Sequence, residues 1–186
     1  EDEGSAASSL QEELKSIEVE RDQIDKNRAS FAERIKSLRI DENSVRKELE
    51  RLTKKLQDVE RSLYKGNIPG IPDEMDARLE EAEEQIYIVN QSLEEVPLNM
   101  NLVNNYLENA KQSVDIVSEK VNELLENVML IEWIIQYGNR YRTSNEEVHM
   151  RLLEAENSFR EFRYEKALEE AATAVEDVEP GAMNRI

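Results

Sequence analysis

The chain of 186 residues has no cysteine, one histidine, five glycines and four prolines, and only 5% of its residues are aromatic. Without cysteine there are no disulfides, thiolate metal sites or cysteine nucleophiles. A single histidine excludes a zinc site built on histidines and makes a Ser-His-Asp triad a poor prospect. So few glycines and prolines cannot supply the turns of a β-sandwich or a doubly wound α/β domain, which leaves an all-α fold. Scarce aromatics argue against a deep ligand pocket. There is no Walker loop and no GxGxxG, because Gly66 and Gly70 bracket an apolar proline turn. The most apolar window, residues 128–135, carries Glu132 at its centre and is far shorter than the ~20 residues that span a bilayer.

Acidic charge is what the chain has in excess: 42 Asp and Glu against 24 Lys and Arg, a net of -18. Such a surface repels phosphate backbones and anionic lipid headgroups, so no nucleic acid and no direct membrane contact is expected, and the partner is protein. The excess is uneven. Residues 1–65 hold 16 acids and 14 bases, whereas residues 66–186 hold 26 and 10. Mixed signs suit the flanks of a helical seam, and the acidic remainder is read as a solvated face. The many acidic pairs, such as Glu83-Glu84 and Glu94-Glu95, lack the desolvated cleft that acid–base chemistry needs. No enzyme activity and no cofactor is expected. Glu146 and His149 have di-iron spacing once, where two copies are required, so no metal site is expected either.

From Leu10 the apolar residues step by four and three. They are Leu10, Leu14, Ile17, Ile24, Phe31, Ile35, Leu38, Val45, Leu49, Leu52, Leu56, Val59 and Leu63, and of the sixteen seam positions only Arg21, Arg28 and Glu42 break the pattern. A 3.5-residue period sustained this long predicts one unbroken helix from about Ser9 to Tyr64. Residues 1–9 have no period and read as a linker. The breakers Gly66, Pro69, Gly70 and Pro72 predict a reversal. A second helix then carries Met75, Leu79, Ala82, Ile86, Val89, Leu93 and Val96 inward until Pro97. The third starts at once, with a seam of Val103, Leu107, Ala110, Val114, Val117, Val121, Leu124, Val128, Ile131 and Ile135. Ser144 and Glu147 form a capping box for a fourth helix with Val148, Leu152, Ala155, Phe159 and Phe162 inward. A last helix holds Ala167, Leu168, Ala171, Ala174, Val175 and Val178.

Lengths then constrain topology. The second helix can cover only the C-terminal half of the first, and the third overshoots it and needs the fourth and fifth as cover. The expected architecture is elongated, with two three-helix bundles joined by a long shared helix. Residues 10–122 form a repeat with a long first helix, and residues 123–186 form a C-terminal bundle. Residues 10–40 keep an apolar stripe without a partner in this chain; in the intact protein it is expected to be the shared helix of a preceding bundle, and two copies of the isolated chain are expected to self-associate through it, antiparallel. Trp133 lies off the seam of the third helix, and its expected place is beneath the fourth and fifth. The single phrase from Phe159 to Leu168 has a tetratricopeptide flavour, but one copy does not make a solenoid.

One stretch differs in kind. Gln136-Tyr137-Gly138-Asn139-Arg140-Tyr141-Arg142 interrupts an acidic chain with arginines, tyrosines and amides where the third helix gives way to the fourth. Arg and Tyr are enriched at binding hot spots, and Gly permits close backbone approach. The competing reading is a structural turn whose side chains cap helix ends.

Residues 135–142, with the upstream Asn67-Ile68-Pro69-Gly70-Ile71-Pro72 and the downstream Phe162-Arg163-Tyr164-Glu165-Lys166-Ala167-Leu168 and Val178-Glu179-Pro180-Gly181, resemble the C-terminal end of the EzrA family of septation ring formation regulators of low-GC Gram-positive bacteria. The resemblance covers most of the chain after Leu10. It implies an N-terminal membrane-spanning helix followed by a cytoplasmic array of spectrin-like three-helix repeats, with a role as a negative regulator of FtsZ ring formation at the division septum. It implies FtsZ or FtsZ-associated division proteins as partners. The family's polar patch, tied to placement at the division site, falls on Gln136, Asn139 and Arg140, with Tyr137, Gly138, Tyr141 and Arg142 beside it. The anchor and the earlier repeats have no counterpart here, which puts membrane attachment and full FtsZ inhibition by these residues in doubt. The alternative function is a passive coiled-coil spacer with no FtsZ-directed activity.

Overall fold

The computed structural model describes residues 2–186, the side chains of Asp2, Leu38 and Ile40 excepted. Glu1 of the expected linker, Leu38 of the stripe and Ile40 at its end therefore lie outside the described residues. The structure is all-α, with five helices, α1 (Asp2–Lys65), α2 (Asp73–Leu93), α3 (Met100–Arg142), α4 (Glu146–Arg160) and α5 (Tyr164–Val178), and a 3-10 turn at Ala182–Asn184. The long heptad run is one unbroken helix as its period requires. Helix α1 begins at Asp2 and not near Ser9, since residues 2–9 contain no proline and only Gly4 to oppose helix.

The chain divides into two compact units, residues 1–47 and 48–186. In the first, Leu10, Leu14, Ile17, Ile24, Phe31 and Ile35 are all exposed. In the second, the contacts give the chain direction of each helix. Glu60 of α1 meets Glu83 of α2, so α2 runs back along the end of α1. Lys55 is 2.7 Å from Asp115, and Gly66 abuts Leu125, so α3 runs parallel to α1. Leu52, Val89, Val103, Val114, Val117 and Val121 are fully buried in this part. The C-terminal half of α3 packs on α4 and α5, which pack on each other. Their core contains Ile134, Val148, Leu152, Ala155, Ala171, Ala174, Val175 and Ala182. The expected boundary at 122/123 falls inside α3, which passes through it as a continuous helix.

Several expectations need correction. Helix α2 stops at Leu93 and Val96 is 95% exposed, because the residue before Pro97 is steered out of the α region. Helix α3 does not start at Pro97 but at Met100, where the Asn99 side chain accepts from the Leu102 amide at 3.2 Å. The α3 seam ends on Ile134 and Gly138, and Ile135 is only half-buried, while Trp133 is 46% exposed and does not lie beneath α4 and α5. Phe162 is not an inward residue of α4. It follows the end of that helix with φ +66° and is 38% exposed, and Phe159 is half-buried while Ser158 takes the buried position.

The capping residue of α4 also differs from expectation. Asn145, in extended conformation, accepts from the Val148 amide at 3.2 Å. Ser144 is occupied in closing α3: its hydroxyl and the Asn145 amide both donate to the Tyr141 carbonyl, at 3.4 and 2.9 Å. Two of the phrases singled out in the sequence meet in space. The Tyr164 hydroxyl donates to the Gly70 carbonyl at 2.6 Å, and the Phe162 ring covers Gly70 so closely that a Cβ there would lie 2.3 Å from it. The α4–α5 turn is thereby clasped to the α1–α2 turn.

Candidate functional site

The polar patch occupies the last two turns of α3. Helical geometry puts Gln136, Asn139 and Arg140 on one face, because residues three and four apart are neighbours on the surface. All three are exposed, whereas Tyr137, Tyr141 and Arg142 are half-buried and Gly138 is buried. The reason for a glycine is steric. A Cβ at Gly138 would lie 2.9 Å from Leu152 Cδ1 of α4 and 3.0 Å from Val175 Cγ2 of α5, so only hydrogen lets the three helices close.

The inward residues are tied to the end of the chain. Tyr137 and Tyr141, one helical turn apart, both donate to Glu179 Oε2, at 2.6 and 2.5 Å, and Arg185 pairs with Oε1 of the same carboxylate at 2.9 Å. Arg142 pairs with Glu156 of α4 and donates to His149 Nδ1 at 3.1 Å, so the only histidine serves as an acceptor in a helix–helix contact. Arg140 stays on its own helix: Nε donates to the Tyr137 carbonyl at 3.1 Å, and the guanidinium sits 3.7 Å from the centre of the Tyr137 ring. Asn139 accepts a long hydrogen bond from Arg142 at 3.3 Å. The competing structural and recognition readings of this stretch thus divide by residue. Tyr137, Gly138, Tyr141 and Arg142 build the junction, and Gln136, Asn139 and Arg140 present it to solvent.

Two contributors escaped the sequence reading. Glu179 is a half-buried acceptor 42 residues from Tyr137, and in sequence it is one acid among many. Trp133 continues the outer face: Met129, Trp133, Gln136 and Arg140 step by four, three and four along α3, opposite the buried Ile131, Ile134 and Gly138. Its signal was its position off the seam, and a lone exposed Trp beside Arg and Gln is hot-spot composition. A cleft of about 380 Å³ lies elsewhere, lined by Met75, Arg78, Lys120, Leu124, Phe162 and Arg163. Its cations are already paired, Arg78 with Glu74, Lys120 with Glu123 and Arg163 with Glu161. It is a groove beside the clasped turns without a convergent set of groups for chemistry.

The setting of Glu179 predicts a pH-dependent contribution to the junction's stability. Hydrogen bonds from Tyr137 and then Tyr141, outweighing partial loss of hydration, hold its carboxyl below the ordinary carboxylate range. The same bonds, with burial and the charge of Glu179, push both phenols above the ordinary tyrosine value. A lowered carboxyl pKa stabilises the fold fully above the ordinary carboxylate value, and that stabilisation is lost as pH falls through the lowered one. A raised phenol pKa stabilises up to the ordinary value near ~10 and is lost as pH rises beyond it. The difference in melting temperature between the parent and Glu179→Gln should therefore be constant between about pH 6 and 9, and shrink below about pH 4 and above about pH 10. Thermal melts across that range check this, and a difference independent of pH would remove Glu179 from the role.

A family model described as "Septation ring formation regulator, EzrA" matches residues 1–186. The septation ring formation regulator EzrA of Listeria monocytogenes serotype 4b is 38% identical over 182 residues, which is 97% of this chain and 32% of that protein. The Bacillus licheniformis protein of the same description is 40% identical over 181 residues, with the same coverage of 97% and 32%. A solved structure, the cytoplasmic domain of bacterial cell division protein EzrA, superposes with a TM-score of 0.63 at 39% identity, covering 95% of this chain and 34% of that one. The chain thus spans about a third of the length of these relatives.

Proposed function

The chain belongs to the EzrA family of septation ring formation regulators, and from that membership we propose that it acts in cell division by binding protein, as part of a longer regulator that restrains assembly of the FtsZ ring. The site is the outer face of the α3 terminus, with Arg140 and Trp133 as anchors and Gln136 and Asn139 as adaptable polar contacts. Its partner is FtsZ or an FtsZ-associated division protein, met on the cytoplasmic side of the membrane at the septum. Among the described residues no helix is long and apolar enough to cross a membrane. Attachment in this reading comes from a single span outside these 186 residues.

The observation that supports the reading most is the exposure of Gln136, Asn139, Arg140 and Trp133 on one face of the α3 terminus, opposite the buried Ile131, Ile134 and Gly138. A spacer needs the inward residues alone. The hydrogen bond and ring contact of Arg140 lie within its own helical turn, its charge adds a minor share to the field at Glu179, and exposed polar interactions of that kind contribute about 0–1 kcal/mol, too little to require this residue for folding.

A pelleting assay with purified FtsZ and GTP tests the proposal. The chain should co-sediment with the polymer, and Trp133→Ala with Arg140→Ala should remove most of it from the pellet. Co-sedimentation unaffected by these changes would move the site elsewhere on the chain. No co-sedimentation of the parent chain at all would leave another division protein, or a spacer, in place of direct FtsZ contact.

A further inference from the structure

We propose that the groove between the start of α2, the middle of α3 and the α4–α5 turn is a docking site, and that its occupant is a short acidic segment of a partner protein carrying one large apolar side chain. The inference is independent of the septation reading, because no residue of the α3 terminus takes part. The groove, of about 380 Å³, is built from residues between 72 and 166, all within the second unit, so the packing of its own helices sets its shape. Met75 of α2 and Leu124 of α3, both buried, line it together with Pro72 and Phe162. Phe162 sits at φ +66° with its ring tip against Gly70, yet it is 38% exposed and borders the groove. A residue held in so costly a conformation marks a segment fixed by its surroundings. Tyr164 fixes the same turn through its hydrogen bond to the Gly70 carbonyl, so the apolar lining is in place before anything binds.

Charge selects the occupant. Residues 66–186 hold 10 bases against 26 acids, and four of those bases, Arg78, Lys120, Arg163 and Lys166, line this one groove with only three of the acids, Glu74, Glu123 and Glu165. The balance of sign reverses here. The cations are loosely held: Lys120 pairs with Glu123 and Lys166 with Glu170 at 3.7 Å, and Arg163 with Glu161 at 3.6 Å, all beyond hydrogen-bond reach. Arg78 meets Glu74 at 3.1 Å, one turn away on its own helix, and that carboxylate is 81% exposed. Exposed pairs of this kind contribute little to stability, so their cations turn to a partner's carboxylates at small cost. A cationic rim beside an apolar lining suits a large apolar side chain flanked by Asp or Glu. A long polyanion such as nucleic acid would have to cross the acidic surface around the groove. A short segment responds to the rim, because charges farther than about 8 Å are screened at physiological ionic strength.

Short random peptides displayed on phage and selected against the chain supply the probe. The enriched peptides should carry an aromatic or large aliphatic residue between acids, and a fluorescein-labelled copy of one should bind with an affinity that falls as salt rises. Lys120→Glu with Lys166→Glu should weaken that binding more than about tenfold. Both lysines are exposed, so the melting temperature should stay near that of the parent. If reversal of charge does lower it, Lys120→Gln with Lys166→Gln carries the same test with a smaller loss of binding. Trp133→Ala with Arg140→Ala should leave peptide binding unchanged, so the groove and the α3 terminus succeed or fail separately. The labelled peptide should also bind the full-length protein. Binding to the chain but not to the full-length protein means that another segment of the same polypeptide fills the groove, and overturns the proposal. A selection that enriches no acidic class, or acidic peptides indifferent to both pairs of lysine changes, overturns it as well.

Discussion

Gly138→Leu should cost the protein about 3 kcal/mol or more, the largest loss expected of any single change at the α3 terminus. Even a methyl group at this position meets Leu152 Cδ1 at 2.9 Å and Val175 Cγ2 at 3.0 Å. Both neighbours belong to fully buried residues. Alanine would recover about 1 kcal/mol of helix propensity against the strain, so Gly138→Ala should be close to neutral or mildly destabilising. Leucine adds three further carbons to the same contact. At about 2–4 °C per kcal/mol for a protein of this size, its melting temperature should fall by roughly 6–12 °C. The loss should extend to function, since α3 can only make room by moving away from α4 and α5 and carrying the patch with it. A Gly138→Leu protein that melts with the parent would mean that α3 does not approach its neighbours as closely as described.

The second large effect separates two arginines that are neighbours in sequence. In the full-length protein, Asn139→Ala with Arg140→Ala should leave the melting temperature within about 2 °C of the parent, as surface changes away from caps and cores usually do. The same pair should abolish septal localisation of a fluorescent fusion, because losing a binding hot spot costs ~2 kcal/mol or more, about thirtyfold in affinity. Arg142→Ala should do the reverse. It leaves the half-buried Glu156 with only the exposed Arg160, 4.0 Å away, and His149 without its donor, a loss of about 1–3 kcal/mol. If the Asn139 and Arg140 changes lower the melting temperature as much as Arg142→Ala does, the whole stretch is a helix junction. If localisation survives with stability intact, recruitment uses another surface.

The stretch was legible in the sequence as a change of composition, and the resemblance to the EzrA family is what singled out Gln136, Asn139 and Arg140 within it. How its side chains share the work was not legible. Tyr137, Tyr141 and Arg142 were read as partner-binding along with Gln136, Asn139 and Arg140, and the structure engages the first three with Glu179 and Glu156. Those acids lie on the chain terminus and on another helix, in a sequence where 42 acids look alike. Composition marks a stretch, but only packed helices select which carboxylate comes within 2.6 Å of a phenol.

The sequence by itself determined what depends on local spacing. A heptad stripe specifies helix whatever it packs against, so α1 through α5 and the order of their turns follow from apolar residues three and four apart and from a few prolines and glycines. Tertiary structure decided what local spacing leaves degenerate. At residues 131–135 the helix is apolar on more than one side, and Ile134 and Ile135 differ by about 100° of rotation, so pattern alone cannot say which turns inward. The close approach at Gly138 fixes that rotation, burying Ile134 and leaving Trp133 outside. Likewise Ser144 and Asn145 are both competent caps, and the choice went to Asn145 because the preceding helix already used the serine hydroxyl to close on the Tyr141 carbonyl. Phe162 took the left-handed region, a costly conformation for an aromatic residue, because there its ring lies over a glycine 92 residues earlier in the chain, Gly70. Each of these outcomes is a competition between groups distant in sequence, and such competitions are resolved only when the helices meet.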